Sequence, residues 1–191
     1  MPADAALQIE VPCPRETIAA LRAGQQVLLS GRVYTARDAA HARLLQAAKA
    51  GKEPPVPLEG EVIYYCGPTP APPGHPIGSC GPTSAARMDP YLELTLSLGV
   101  VATIGKGNRS VQARRTIVQY KSAYLVAVGG TGALLAQRVT AARVVAYEDL
   151  GPEAIYELTL DRMPLLVAYD AAGGTIFAGE EPLQEGGQGG G

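Results

Sequence analysis

The sequence is short of charge, of cysteine and of long apolar runs, and each shortage excludes a class of protein. Only 18% of its 191 residues are charged, and the 16 basic and 18 acidic side chains leave a net charge of -2. This balance excludes the basic surface that nucleic-acid binding requires. No apolar stretch approaches the roughly 18 residues of a membrane-spanning helix, and the first ten residues lack the basic and apolar segments of a secretory signal. We therefore expect a cytoplasmic protein with neither a nucleic-acid nor a membrane partner.

Cysteine is scarce, and its spacing excludes two further possibilities. The three cysteines are Cys13, Cys66 and Cys80, and no two of them form a CxxC pair. An odd and widely spaced set provides neither a disulfide framework nor a metal site contained within the chain. We therefore expect this chain alone to hold no metal.

Apolar residues, glycine and proline are abundant instead. Apolar residues make up 47% of the sequence, which contains 23 glycines and 16 prolines. This composition predicts a packed core connected by tight turns and ordered loops. The length fits one domain, which we place at residues 1–180. The glycine-rich segment 181–191 has little to bury and is expected to form a flexible tail.

Predicted helices and strands alternate along most of the chain. Apolar strands such as VVATI and YLVAV lack the alternation of a half-exposed strand, so both faces of the sheet should be covered. We therefore predict an α/β fold with a parallel or mixed sheet flanked by helices. Helices are predicted at residues 17–22, 37–50, 84–98, 111–120 and 132–139. Strands are predicted at residues 27–33, 61–66, 100–104, 123–128, 144–147 and 165–169.

Two turns that follow predicted strands carry candidate site residues. In YTARDAAH, Arg37 and His41 stand at a strand-to-helix junction, where an arginine and helix amides can hold an anion. The pattern alone favours a simpler interpretation, in which Asp38 caps the helix. In SCGPTSAARMD, Thr83 and Arg87 lie four residues apart, which on a helix places a hydroxyl and a guanidinium on one face. Here too an ordinary helix cap is the simpler interpretation.

A third turn, IGKGNRS, places Lys106 between two glycines after an apolar strand. It lacks the phosphate-loop and dinucleotide signatures, which excludes a nucleotide site of either kind. Arg37, Arg87 and Lys106 all follow predicted strands, at the edge where open α/β sheets bind ligands. Three cations at one edge predict a polyanion. A dicarboxylate fits, because guanidinium forks and an ammonium hold carboxylates without a glycine cradle.

The same segments resemble one known family, the β subunit or C-terminal domain of class I iron-sulfur fumarases, which includes the β subunit of L-tartrate dehydratase. The similarity is carried in order by LSGRVYTARDAAHARL, EVIYYCGPTPAPPG, IGSCGPTSAARMDPY, IGKGNRS and AYEDLGPEAI. The combination of GPT, RMD and a later GKG is specific. The resemblance implies a swivelling β/β/α domain, which is a three-layer arrangement around a central, partly parallel sheet.

The resemblance also implies a hydro-lyase that adds water reversibly to fumarate to give malate. A [4Fe-4S] cluster is the implied cofactor, and it is expected on the α subunit of a fumarate hydratase, the implied partner, rather than on this chain. Because the active site would lie between subunits, an isolated chain is expected to expose part of it and to form a homodimer.

Residue by residue, the resemblance implies that Thr83 removes or returns the proton on carbon. It implies that Arg37, Arg87 and Lys106 contact the carboxylates of the substrate. His41 matches a histidine suggested as catalytic in the tartrate branch, and orientation of a neighbouring side chain is its alternative role.

Other functions stay open at this point. The same residues suit tartrate or a methylated fumarate, since one hydroxyl distinguishes malate from tartrate. A stand-alone dicarboxylate-binding domain is a second alternative, although binding alone needs only the cations and not Thr83. A thiol nucleophile at Cys80 is a third, and neither histidine stands at a recognisable spacing from it.

Overall fold

Seven strands and five α-helices make up the part of the chain that the structure describes, residues 6–127 and 132–183. The structure is a computed structural model. The strands are β1 (Leu7–Val11), β2 (Gln26–Thr35), β3 (Val62–Tyr64), β4 (Ala102–Gly105), β5 (Ala123–Ala127), β6 (Val139–Ala146) and β7 (Ile155–Tyr169). The α-helices are α1 (Arg15–Ala19), α2 (Asp38–Lys49), α3 (Asp89–Ser97), α4 (Val111–Gln119) and α5 (Gly132–Ala136), and short 3-10 helices cover Ala85–Met88 and Glu148–Glu153.

The strands form one mixed sheet that closes on itself. β2, β3, β4 and β5 are parallel neighbours in that order, and β7 runs antiparallel to both β5 and β2. These five strands therefore form a barrel. β1 extends the sheet beside the first half of β2, and β6 lies beside the first part of β7. The predicted α/β class with a mixed, partly parallel sheet is confirmed, whereas the closure into a barrel is not something the sequence pattern predicts.

Both faces of the central strands β3, β4 and β5 are largely buried, which explains why these strands are apolar without alternation. Val62 and Tyr64 of β3 face a core inside the barrel, while Ile63 and the following Tyr65 pack against the outer helices. Helices α2, α3 and α4 cover the outer face with buried side chains that include Ala40, Leu44, Leu92, Leu96, Ala113 and Ile117.

The last strand is much longer than its predicted portion at residues 165–169. The earlier part of β7 contains Asp161, Arg162 and Pro164, which are uncommon in strands. At Arg162 the backbone φ is 47°, and its N–H donates to Ser30 Oγ across a bulge in the ladder between β2 and β7. The bulge absorbs Asp161 and Arg162, while Pro164 pairs in register with Leu28, so the strand continues through all three.

The helices predicted at 84–98 and 132–139 also differ from the structure. The predicted helix at 84–98 is a 3-10 helix over Ala85–Met88 followed by α3, whose first turn contains Pro90. Proline suits a first turn but lacks the N–H that a continuous helix needs. The predicted helix at 132–139 ends at Ala136, because the chain from Val139 joins β6.

The described chain stays packed as far as Leu183. Arg114 Nη2 donates to the Glu181 carbonyl at 2.5 Å, and the Leu183 N–H donates to the Gly173 carbonyl at 2.9 Å. The predicted tail begins at residue 181, and residues 184–191 of it lie outside the described residues. Residue 128 of the predicted strand 123–128 also lies outside them. Nowhere in the described chain is a helix long and apolar enough to cross a membrane.

One glycine makes the pairing of β1 with β2 possible. Gly31 pairs with Val11 and has a φ of 97°, and a Cβ atom there would overlap the Val11 carbonyl oxygen. Gly24 has a similar φ of 89° with open space around it.

We expect Gly24→Ala to lower the unfolding free energy by about 1–2 kcal/mol through backbone strain. Gly31→Ala should lower the unfolding free energy by roughly 2–3 kcal/mol more than Gly24→Ala does, because the backbone at Val11 must move to make room for the Cβ atom. Urea unfolding measures both losses, and equal values would contradict the prediction.

Candidate active site

The carboxyl ends of β2, β3, β4 and β5 meet at one edge of the barrel, because the four strands are parallel neighbours. This edge is termed the carboxyl edge below. Arg37 follows β2, Lys106 follows β4, and Thr83 lies between the ends of β3 and β4. Arg87 reaches the same region through a bond to Asp38, the residue after Arg37. The structure therefore brings the predicted site residues together where ligands bind in α/β sheets.

Backbone hydrogen bonds fix Thr83 between two strands. Its N–H donates to the Tyr65 carbonyl at 2.6 Å, and its carbonyl accepts the Lys106 N–H at 3.1 Å. The Ala85 N–H donates in turn to the Lys106 carbonyl, so the Thr83 segment continues the sheet beside the end of β4. The prediction that Thr83 and Arg87 share a helix face is wrong, because the helical turn begins only at Ala85.

A cleft of about 460 Å³ opens beside this segment. Its volume suits a small ligand. Lys106 is the one charged residue among the described residues that line it, which are Gly81, Pro82, Gly105, Lys106, Gly107, Val126, Ala127, Gly132 and Phe177. Gly105 must be small, because a Cβ atom there would lie 3.0 Å from the Tyr65 ring and 3.2 Å from the Thr83 carbonyl. The cleft is thus a narrow space with one exposed ammonium.

Arg37 stands in extended backbone immediately before α2, and its side chain is partly buried. Its Nε lies 3.6 Å from Glu153 Oε1. The guanidinium passes over Gly67, where a Cβ atom would come within 3.0 Å of Nη1. The glycine at residue 67 therefore gives this arginine room, since a larger residue would require the guanidinium to shift.

Arg87 is exposed and is bound by a carboxylate of the same edge. Its Nε donates to Asp38 Oδ1 at 3.2 Å, and its Nη2 donates to Asp38 Oδ2 at 2.6 Å. Arg37 and Arg87 are thus each beside a carboxylate, whereas Lys106 has no ion-pair partner among the described residues. The three predicted cations contribute less positive charge to the edge than their number suggests.

His41 is buried behind the edge rather than displayed on it. Its ring lies between Tyr65 and Tyr91, with centroid distances of 5.6 Å and 5.5 Å. Nδ1 is 2.8 Å from the Arg37 carbonyl oxygen, which can only accept, so Nδ1 carries a hydrogen. Burial lowers the pKa of His41 to about 4, and the imidazole is therefore neutral near pH 7. This geometry fits the orienting role better than proton transfer to a ligand in the cleft.

A buried arginine that the sequence motifs do not reveal supports the IGKGNRS turn. Arg109 is almost wholly enclosed, and its Nε donates to Asp89 Oδ1 at 2.7 Å. Its Nη1 donates to Tyr65 Oη and to Thr103 Oγ1, each at 3.2 Å. The GNR and RMD motifs supply one member each of this ion pair, but no local spacing signals a contact between residues 109 and 89. An arginine after a glycine turn looks like a surface residue until the fold is known.

The cysteines do not provide a metal site or a reactive thiol. All three are buried, and burial raises the pKa of Cys66 and Cys13 and raises that of Cys80 to about 11. Thiols with raised pKa values are poor nucleophiles and poor metal ligands at neutral pH. No group of three metal-ligating side chains occurs among residues 6–127 and 132–183. The described residues therefore do not fit a [4Fe-4S] cluster.

The buried imidazole makes stability depend on pH. The unfolded chain takes up a proton near pH 6.5, whereas folded His41 does so only near pH 4. The unfolding free energy should therefore fall as pH drops from 6.5 toward 4, by up to about 3 kcal/mol. His41→Asn, which keeps a donor for the Arg37 carbonyl, should flatten this slope. His75→Asn, in an exposed loop, is the matched control and should retain it. The same slope in both variants would contradict the assignment.

Comparisons with known proteins agree on one family. The family model described as Fumarase C-terminus matches residues 3–179. The class I anaerobic fumarate hydratase of Escherichia coli is 40% identical over 151 residues, which are 78% of this chain and 28% of that protein. Mitochondrial fumarate hydratase 1 of Leishmania major is 38% identical over the same length, with the same two shares. This chain thus spans only 28% of the length of these two enzymes.

A relative of similar size also matches. The protein of Methanocaldococcus jannaschii named "Putative L(+)-tartrate dehydratase subunit beta" is 35% identical over 169 residues, which are 85% of this chain and 87% of that protein. The family model covers nearly the whole chain, and the carboxyl edge carries the GPT, RMD and GKG segments on which the resemblance was based. The chain belongs to the Fumarase C-terminus family.

Proposed function

We propose that this chain is one half of a hydro-lyase that adds water reversibly to fumarate and forms malate. The observation that carries the proposal is the carboxyl edge, where backbone hydrogen bonds fix Thr83 beside the cleft and its ammonium, Lys106. Arg37 and Arg87 lie on the same edge. The names of the two fumarate hydratase relatives support this reaction.

Each of these residues has a role in the proposed reaction. Lys106 and the two arginines Arg37 and Arg87 bind the two carboxylates of the substrate. The Thr83 hydroxyl group moves the proton on the carbon next to the one that carries the substrate hydroxyl. A threonine hydroxyl is a very weak base, so a second group must take its proton, and the closed site must exclude all water except the molecule that is added. No described residue hydrogen-bonds to the Thr83 hydroxyl, so we propose that this group comes from a partner.

The partner in this proposal is a fumarate hydratase α subunit that holds a [4Fe-4S] cluster. The resemblance to class I fumarases implies that cluster, and the buried thiols of this chain do not fit it. The fumarate hydratase relatives extend far beyond the matched region, and the M. jannaschii relative is named as a subunit. Both facts support a second component. We further propose that this chain closes over it as a swivelling domain.

Tartrate is the alternative substrate, and one observation favours it. The M. jannaschii relative, whose name refers to L(+)-tartrate dehydratase, matches over 87% of its own length and is thus a chain of the same extent. Tartrate and malate differ by one hydroxyl, and a single polar contact in the pocket suffices to discriminate between them. Rates with fumarate, malate and tartrate, measured on one reconstituted preparation, distinguish the two substrates.

The role of Thr83 gives a direct test of the proposal. The chain is mixed anaerobically with the α subunit from the same source after reconstitution of the cluster, and hydration of fumarate is followed, with each half alone as a control. Thr83→Val removes the hydroxyl at nearly constant volume and should lower kcat by at least about 100-fold. Thr83→Ser should retain much of the activity because it keeps the hydroxyl.

The matched control is Thr140→Val, on the exposed strand β6, which should leave kcat unchanged. Near-normal activity of Thr83→Val in a complex that forms would overturn the role of Thr83. A loaded complex that acts on tartrate but not on fumarate would change the substrate and keep the reaction class. Failure to form a complex would favour the dicarboxylate-binding alternative.

A further inference from the structure

The two bonds between Arg87 and Asp38 use only one side of the guanidinium. They engage Nε and one hydrogen of Nη2. The Nη1 hydrogens and the second Nη2 hydrogen remain on the other side, and no described residue bonds to them. That side presents two parallel N–H groups, which is the arrangement that binds a carboxylate in a fork. Arg87 is therefore able to hold Asp38 and a second carboxylate at the same time.

Stability does not explain this pair. The side chains of Arg87 and Asp38 are 52% and 35% exposed, and an exposed ion pair contributes little to the stability of a fold. The larger effect of Asp38 is to orient the Arg87 side chain. Arg87 stands on the short 3-10 helix Ala85–Met88, and its side chain has no other bond to a described residue. Without Asp38 this long side chain would sample many rotamers, and binding would have to order it.

Asp38 is a rigid anchor for such a purpose. It is the first residue of α2, where the positive end of the helix dipole favours a carboxylate. The turn around it is fixed, since the His41 ring donates to the Arg37 carbonyl at 2.8 Å and Ala40 is fully buried. The RDAAH segment therefore supplies both one arginine of the edge and the carboxylate that holds the other.

We propose that Asp38 is a positioning residue that holds Arg87 by one side and leaves the other side for a carboxylate of the substrate. The inference rests on the proposed function, since it takes a dicarboxylate as the ligand. Asp38 stays bound to Arg87 when the ligand arrives, so the two carboxylates do not compete for the same donors. If the ligand instead had to displace Asp38 from Arg87, Asp38 would act as a latch, and removing its charge would tighten binding of the ligand.

The test compares variants in the assembled complex with the α subunit. Succinate, a dicarboxylate with no double bond to hydrate, is the probe for binding by calorimetry, and initial rates with fumarate give KM and kcat. We expect Asp38→Asn to raise the Kd for succinate and the KM for fumarate about tenfold, with kcat changed less than about threefold. Asp38→Glu should recover part of the affinity. In an Arg87→Ala background, Asp38→Asn should cause little further loss.

The control is a second ion pair with two hydrogen bonds, in which an arginine of α2 takes part. Arg43 donates to Asp149 through both terminal nitrogens at 2.7 Å and 2.8 Å, on the exposed side of α2. Asp149→Asn should leave Kd and KM unchanged. An equal loss in this variant would assign the effect to α2 in general and overturn the proposal.

The remaining outcomes separate the two proposals. Unchanged or tighter succinate binding by Asp38→Asn overturns the positioning role, and tighter binding indicates a displaced latch. A wild-type complex that binds succinate but hydrates no substrate overturns the proposed function, and the succinate affinities then decide the role of Asp38 alone. A wild-type complex that does not bind succinate overturns both. If Asp38→Asn does not fold, the succinate affinity of Asp38→Glu decides, because glutamate keeps the charge but shifts the two bonds to Arg87. Unchanged binding by Asp38→Glu then overturns the positioning role.

Discussion

The antiparallel pairing of β2 with β7 is the interaction on which the rest of the structure depends. Each strand is long enough to serve two neighbours on its other edge, β1 and β3 for β2, and β5 and β6 for β7. The pairing turns a mixed sheet into a barrel with one core inside and a second core beneath the outer helices. It also keeps four parallel strands side by side. Their carboxyl ends then meet at one edge of the barrel.

Three different forces hold the residues of that edge. Hydrogen bonds fix the backbone of Thr83 and Lys106, burial fixes His41, and carboxylates lie beside Arg37 and Arg87. The backbone of Thr83 is therefore fixed before any ligand arrives, which lowers the entropic cost of binding. Among the described residues, none hydrogen-bonds to the hydroxyl of Thr83.

Local patterns in the sequence are sufficient to predict what local physics decides. Apolar strands without alternation indicate a sheet covered on both faces, and residues just after parallel strands converge on one edge, which is why Arg37 and Lys106 are found there. Long-range contacts carry no such signal. Asp38 and Arg87 are 49 residues apart in the chain, and the barrel closes through a strand whose bulge and proline make it look irregular. Arg109 has the sequence context of a surface residue, and only the fold shows that it is enclosed.

The position of β7 in the chain has a consequence for folding. Thr35 at the end of β2 and Tyr156 in β7 hydrogen-bond to each other although they are 121 residues apart. The closing strand is therefore synthesised after the other six strands of the described chain, and the inner core stays open on a ribosome-bound chain until it emerges. Closing the barrel across such a separation costs a large amount of chain entropy, and this cost slows folding. Until it happens, the unpaired edges of β2 and β5 are exposed, and this interval is when the chain is most prone to aggregation.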